Sequence, residues 1–179
     1  VGRWGDVRSG VWTSLARFSL LSLERGGNSD PRNWRPNMMV FTGQPHNRVH
    51  LVEMAKWLSL GGGIVTFSQL ITGAVDDPNK PALRANARER IRTYIRDRGM
   101  AAFAEAQIVP DFPSGAVAVS QAHGVGRLEA NTVLMGWSGT PGGRTMLMRV
   151  LRDLSDLGKS VLFLHVDEET GFGEQRKIN

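Results

Sequence analysis

Apolar residues follow two alternating patterns along this chain, and the patterns predict helices and strands in turn. Helical spacing is found over 9–24, 47–60 and 83–98, in a segment that ends at Ala122, and in one that ends at Gly158. Short apolar runs bounded by turn residues predict strands over 37–42, 64–71, 100–108, 132–135 and 160–166. Strands that alternate with helices of ordinary length are typical of βαβ units. We therefore expect an α/β fold, with a five-stranded, mainly parallel, doubly wound sheet flanked by helices.

The first helix has an unusually broad apolar face, which includes Val11, Leu15 and Phe18. A loose segment at 26–31 separates this helix from the first strand, so two interpretations stay open. The helix packs on its own domain, or it contacts something outside, such as a membrane region or a second copy. Trp12 and Trp34 lie outside the regular α/β repeat, which makes them candidates for contact with a partner. We divide the chain into a linker helix over 1–30 and an α/β lobe over 31–179.

Length and composition set broad limits. A chain of 179 residues that is 41% hydrophobic is long enough for one domain with a core. Cysteine is absent, which excludes disulfides and thiolate sites and fits a reducing compartment. No apolar run approaches the roughly 20 residues that cross a bilayer. The net charge of +5 permits attraction to an anionic membrane face or to nucleic acid.

A row of arginines follows the helix over 83–98, at Arg84, Arg88, Arg92 and Arg96. This spacing places four like charges in one stripe, where they repel one another unless water or an anion faces them. A solvated face is one interpretation, and contact with an anionic membrane surface is the other. No nucleic-acid motif or interleaved aromatic residues accompany the stripe, so we expect no nucleic acid partner.

Two motifs carry a resemblance to a known family. The first is Asn33-Trp34-Arg35-Pro36, which leads into the predicted first strand. The second runs over 121–137, where a helix stops at Gly124 and a glycine-containing turn leads through Asn131-Thr132 into a buried strand. The two motifs, in this order, resemble the C-terminal cytoplasmic domain of the cation-chloride cotransporters, within the amino acid-polyamine-cation transporter superfamily.

The resemblance, which is to the Na-K-Cl cotransporter type, implies a role within a membrane transporter. It implies symport of cations such as sodium or potassium with chloride by a transmembrane portion of the same protein. It also implies a regulatory domain at the cytoplasmic side of the cell membrane that pairs as a homodimer, neither catalytic nor transporting. A second, related lobe is expected after residue 179.

A nucleotide site is a further expectation, because ligands of open α/β sheets bind beyond the carboxyl ends of the strands. The lobe is similar to that of the universal stress proteins, which bind ATP through Gly, two residues, Gly, nine residues, Gly, then Ser or Thr. Here Gly126 and Gly136 keep the nine-residue gap, His123 replaces the first glycine, and Trp137 displaces the hydroxyl to Ser138. The site for ATP or a related adenine nucleotide would comprise Thr42, Gly43, Gly126, Gly136, Ser138 and Gly139. The alternatives are glycines that serve turns only, and a free-standing nucleotide-binding module of the universal-stress-protein type.

Catalytic and metal sites are not expected. The nucleophile motif Gly-x-Ser-x-Gly does not occur. His46 and His50 have the spacing of helical metal ligands, but the sequence offers no third ligand nearby. No cofactor other than the nucleotide is predicted, and a small α/β hydrolase or transferase lacks a clustered nucleophile and base.

Overall fold

Five parallel strands and five α-helices make up the part of the chain that the structure describes. The structure is a computed structural model that describes residues 5–26, 34–59, 62–74 and 78–166. The helices are α1 Gly5–Arg25, α2 Val49–Ser59, α3 Lys80–Asp97, α4 Phe112–Ala122 and α5 Pro141–Asp156, with a 3-10 turn at Pro45–Asn47. The strands are β1 Asn37–Phe41, β2 Ile64–Thr72, β3 Phe103–Val109, β4 Thr132–Gly136 and β5 Ser160–Leu164.

The strands form one sheet in the order β3-β2-β1-β4-β5, and every neighbouring pair is parallel. The first strand, β1, is therefore central. The chain then passes to one margin through β2 and β3, and crosses to the other side of β1 for β4 and β5. This is the doubly wound arrangement, and the predicted fold class is confirmed. The central pair, β1 and β4, is aligned so that Phe41 lies beside Met135.

Two apolar cores lie on the two faces of the sheet. Met38, Phe67 and Leu134 pack beneath α2 and α3 on one face. Met39 and Met135 pack beneath α4 and α5 on the other. Because consecutive strand residues point to opposite faces, the unbroken apolar runs of β1 and β4 are what a sheet covered on both faces requires.

Strand β3 begins at Phe103, three residues later than the apolar pattern predicts. Gly99 has a φ of 61°, a left-handed conformation that ends α3. The N–H of Met100 then donates to Ile95 O at 3.0 Å, and the N–H of Ala102 donates to Met100 O at 3.1 Å. The N–H of Met100 is thus bonded to the helix end and that of Ala102 to a tight turn, so neither N–H can pair with β2.

Helix α1 lies outside both cores. From Arg8 onward its side chains are exposed, apart from the half-buried Leu20. Trp12 is 67% exposed and Phe18 is 70% exposed. The apolar face predicted for this helix therefore does not pack on the described part of the lobe. No helix in the described ranges is both long enough and apolar enough to cross a membrane.

The arginine stripe of α3 runs along β3, at one margin of the sheet. Arg84 Nε donates to Ala106 O at 2.7 Å, and Arg88 Nε donates to Ala104 O at 3.1 Å. Arg88 also pairs with Glu105 at 3.2 Å, and Arg92 pairs with Glu89 at 2.9 Å. The stripe is thus more than a solvated helix face, because two of its arginines occupy outward carbonyls of the edge strand, which would otherwise be open to another strand.

Candidate functional site

The all-parallel sheet has a carboxyl edge, where the strands end, and an amino edge, where they begin. Five residues of the predicted nucleotide site lie at the carboxyl edge: Thr42 and Gly43 follow β1, Gly136 ends β4, and Ser138 and Gly139 follow it. Since β1 and β4 are neighbours in register, the two loops lie side by side. The structure therefore brings these five residues together.

Gly126 is the sixth predicted residue, and its assignment to this site was wrong. It precedes β4 and adopts a left-handed φ of 55° in the turn at the amino edge. Strand β4 lies between this turn and the carboxyl edge, and it spans about 13 Å from Thr132 to Gly136 at the usual rise per residue. The nine-residue gap that suggested a shared site therefore spans the sheet from one edge to the other.

The carboxyl edge is a glycine-containing crevice with an arginine beside it. The guanidinium of Arg48 approaches Gly136 so closely that a Cβ there would lie 2.9 Å from Nη1. Thr140 caps α5, and its Oγ1 accepts the N–H of Gly143 at 3.2 Å. Ser138 Oγ lies 3.2 Å from Thr140 Oγ1. A cation and a helix N-terminus thus both lie at this edge of the sheet, and each favours an anion. Sequence reasoning did not identify Arg48.

The amino edge joins the two sequence motifs through one side chain, that of Asn131. Its Oδ1 accepts the N–H of Asn37 at 3.1 Å and the hydroxyl of Thr132 at 2.8 Å. Its Nδ2 donates to Arg35 O at 3.0 Å. In return, Asn37 Nδ2 donates to Glu129 O at 3.2 Å. Asn131 of the second motif and Asn37, which directly follows the first motif, therefore hold the entry to β1 against the entry to β4, and we call this set of bonds the motif junction.

The turn between α4 and β4 is closed by its own backbone. The N–H of Ala130 donates to His123 O at 3.2 Å, and that of Leu128 donates to Val125 O at 3.1 Å. Gly124 has a φ of 130°, and a Cβ on it would lie 2.6 Å from Leu128 O. Only glycine fits this position without strain.

The end of α1 meets this turn. A groove of about 690 Å³ lies between them, and its lining includes Glu24, Gly126, Arg127, Asn131 and Lys159. A Cβ on Gly126 would lie 2.7 Å from Glu24 Oε2, so the carboxylate of α1 rests on the glycine of the turn. Lys159 Nζ donates to Ala130 O at 2.7 Å, which ties the entry of β5 to the same place. Helix α1 thus contacts the lobe beside the motif junction.

His123 anchors this turn to the sheet. Its Nε2 lies 3.0 Å from Thr66 Oγ1 of β2, while its backbone carbonyl accepts from Ala130. Burial lowers the pKa of His123 below the usual histidine range; Glu105 opposes the shift and Lys159 adds to it. The folded domain therefore favours the neutral imidazole.

Stability should depend on pH through His123. Because its pKa is lower in the folded state, the unfolded chain binds the proton first, and the free energy of unfolding should fall as the pH drops from about 7.5 to about 5.5. The contribution is fully present above the unfolded pKa. Urea unfolding across this range, compared with His123→Gln, measures it, and the variant should lose less stability on acidification. Equal pH slopes for the two proteins would contradict the assignment, since His50 is unchanged in both.

No metal centre is evident in the part of the chain that the structure describes, where no group of three or more His, Cys, Asp or Glu side chains could hold an ion. His46 instead stacks on Tyr94, with ring centroids 5.0 Å apart. Arg98 lies over the same Tyr94 ring, 3.7 Å from its centroid. The exposed histidine is thus engaged in packing.

The five parallel strands, with helices on both faces, define a doubly wound α/β lobe. The sequence model of solute carrier family 12 matches residues 48–140, just over half of the chain. The chain belongs to solute carrier family 12, which supports the predicted relation to the cation-chloride cotransporters. The matched region begins beside α2 and ends at the cap of α5, so it includes the turn and the asparagine of the second motif.

A comparison with solved structures finds partial likeness to the pantoate-beta-alanine ligase of Francisella tularensis, solved with beta-gamma ATP and beta-alanine. The TM-score is 0.41 and the sequence identity is 10%. The match covers 83% of this chain and 66% of the ligase chain, slightly less than two thirds of it.

Proposed function

We propose that this chain is the cytoplasmic regulatory and dimerisation domain of a cation-chloride cotransporter-like secondary transporter. In this proposal it neither transports ions nor catalyses a reaction, and the transport chemistry belongs to a transmembrane portion of the same protein. The observation that carries the proposal is the family match over 48–140. The exposed helix α1, which precedes the lobe and touches it beside the motif junction, supports the role of a linker.

Regulation would act through the end of α1. Glu24 rests on Gly126, and the turn that contains this glycine is held to β1, β2 and β5 by Asn131, His123 and Lys159. A change in the direction of α1 would therefore be resisted by three strands at once. In this way the lobe can bias the position of a membrane portion that continues from the helix.

The broad apolar face of α1 is the proposed dimer contact. Val11, Trp12, Leu15 and Phe18 are exposed, and burying such side chains against a second copy removes a large apolar area from water. In a pair of such helices, each would cover the exposed apolar face of the other. A homodimer is the occupant that the family relation favours.

We expect the purified chain to dimerise, with a mass that rises from monomer to dimer in light scattering over a micromolar concentration series. Phe18→Glu should weaken this association at least tenfold, because it places a charge in the apolar contact. Thr13→Glu puts the same charge on the opposite, polar side of α1 and should leave the association unchanged. A strict monomer at high micromolar concentration, or equal effects of the two variants, would contradict a dimer built on α1.

A nucleotide-binding module is the second candidate, favoured by the crevice at the carboxyl edge. Arg48 beside Gly136 and the capped start of α5 together suit a phosphate group. The ligand would be ATP or a related adenine nucleotide, bound in a domain of the universal-stress-protein type.

Calorimetric titration with Mg-ATP, ADP and AMP tests this candidate. Gly139 has open space around its Cα, so Gly139→Asp fits but repels phosphate, while Gly139→Asn has the same size and no charge. We expect saturable binding that the Asp variant weakens at least tenfold and the Asn variant retains. Absence of binding at millimolar nucleotide would leave the glycines of this edge as turn residues.

A further inference from the structure

The segment that includes α3 has the densest concentration of positive charge in the chain. We define the basic ridge as the row of Arg84, Arg88, Arg92 and Arg96 on this helix. Between Lys80 and Arg98 the sequence has seven basic and two acidic residues. The excess equals the net charge of +5 of the whole chain. The rest of the sequence is therefore balanced. Within the segment Lys80 is buried and Arg90 and Arg98 line a groove beside His46, so the four arginines of the ridge form one exposed row within this excess.

Contacts with β3 hold the ridge in place. The bonds to Ala106 O and Ala104 O use the Nε atoms of Arg84 and Arg88. Their guanidinium groups are thus fixed in a row along the edge strand, rather than free to sample many rotamers. Twelve residues separate the first arginine of the ridge from the last, which corresponds to about 18 Å along a helix.

Neighbouring carboxylates neutralise the ridge only in part. Glu105, Glu89 and Asp97 pair with Arg88, Arg92 and Arg96 at 3.2, 2.9 and 3.4 Å. Their side chains are all partly exposed to water, where such pairs are weak and screened. Within the described ranges, the ion pairs do not include Arg84, whose Nε is bonded to a neutral backbone carbonyl. A positive excess therefore remains at the surface.

Exposed apolar side chains accompany the charges. Leu83, next to Arg84 in the chain, is 47% exposed. Phe103, which precedes the carbonyl that Arg88 holds, is 63% exposed. Basic groups in a row beside an exposed aromatic ring are typical of surfaces that rest on lipid headgroups, where the ring enters the interface.

We propose that the basic ridge, with Leu83 and Phe103, is a docking surface for a bilayer leaflet rich in anionic phospholipids. The charges form an extended row instead of converging on a pocket, which suits many headgroups better than one small anion. The choice of a membrane rests on the proposed function, because a cytoplasmic domain joined to a transmembrane portion lies near the leaflet. The surface is separate from α1, so docking and dimerisation can occur together.

Co-sedimentation with vesicles tests the docking surface. The purified chain should bind vesicles of phosphatidylcholine with phosphatidylserine and not vesicles of phosphatidylcholine alone. Binding should fall steeply with added salt, because charges at a lipid surface act over about 8 Å at physiological ionic strength. The double variant Arg92→Gln with Arg96→Gln should lower the partition coefficient about tenfold.

A matched variant controls for net charge. Arg149 and Arg152 lie on α5, on the other face of the sheet, and both interact with Asp153. Arg149→Gln with Arg152→Gln removes the same charge and should change the binding less than twofold. Equal losses in the two double variants would overturn the ridge as the docking surface.

Two further outcomes would overturn the proposal in distinguishable ways. Vesicle binding that changes neither with salt nor with the phosphatidylserine content would show that charge attraction does not drive the docking. Binding to single-stranded RNA, with none to anionic vesicles, would assign the ridge to nucleic acid instead. The light-scattering test of the dimer needs no lipid, so a failure of the proposed function and a failure of lipid docking give separate results.

Discussion

Gly124→Ala should lower the free energy of unfolding by about 3 kcal/mol, because a side chain adds two costs at this position. The residue has a φ of 130°, where L-residues are strained. The new Cβ would also lie 2.6 Å from Leu128 O and 2.6 Å from Glu129 Cα, which are backbone atoms of a closed turn. Those atoms cannot move away as the end of a flexible side chain can. Urea unfolding measures the loss, and the melting temperature should fall by about 10 °C.

Gly142→Ala is the control for this prediction. Gly142 lies in the first turn of α5, where an added Cβ would meet no atom within 4 Å, and alanine is favoured over glycine in a helix. This variant should be as stable as the wild type or slightly more stable. If the free energy of unfolding of Gly124→Ala were also within about 0.5 kcal/mol of the wild-type value, the turn would not have the closed geometry described.

Asn131→Ala should cost about 2–3 kcal/mol of stability, because it removes three hydrogen bonds of the motif junction at once. Two of them involve backbone groups of the entry to β1, the N–H of Asn37 and the carbonyl of Arg35. Both groups lie at the start of the central strand, so their loss loosens the place where β1 meets β4. Denaturant unfolding gives the magnitude, and Asn86→Ala, at an exposed position of α3, should be neutral.

Asn131→Asp separates the two roles of this side chain. It keeps an oxygen that accepts from Asn37 and Thr132, but a carboxylate cannot donate to Arg35 O. Its stability should therefore lie between that of the wild type and that of the alanine variant. Acidification to about pH 4 should narrow its deficit, because a protonated carboxyl group can donate again. A deficit that does not change with pH would exclude the bond to Arg35 as its source.

The sequence predicted the order and type of the elements, because alternating apolar periods depend on burial and both faces of this sheet are buried. It misplaced the start of β3, since the bond of Met100 to the end of α3 and that of Ala102 to Met100 leave no trace in an apolar run. It predicted the apolar face of α1 and left open whether that face packs on its own domain or contacts something outside. Periodicity reports that a face is apolar, whereas what covers that face depends on neighbours that lie outside the helix.

The position of the candidate site was predicted in part. Five of its residues do lie together at the carboxyl edge, because the carboxyl ends of parallel strands meet at the same edge. Gly126 does not, although its position before β4 in a parallel sheet already assigns it to the amino edge. The bonds of Asn131 to Asn37 and Arg35 had one usable signal, the position of each motif directly before a strand. No signal in the sequence predicted that Arg84 and Arg88 bind carbonyls of β3, because the sequence alone does not show that β3 is a margin of the sheet.

The arginines bound along β3 also limit how copies of this lobe can grow into larger structures. A sheet with two open margins can add strands at both, and repeated addition produces a fibre. Here Arg84 and Arg88 already occupy carbonyls on one margin, which leaves the margin at β5, as far as the described residues extend, as the side for addition. Any joining of sheets then stops at a pair. Copies of this lobe can thus reach high local concentration while their strands remain unable to polymerise.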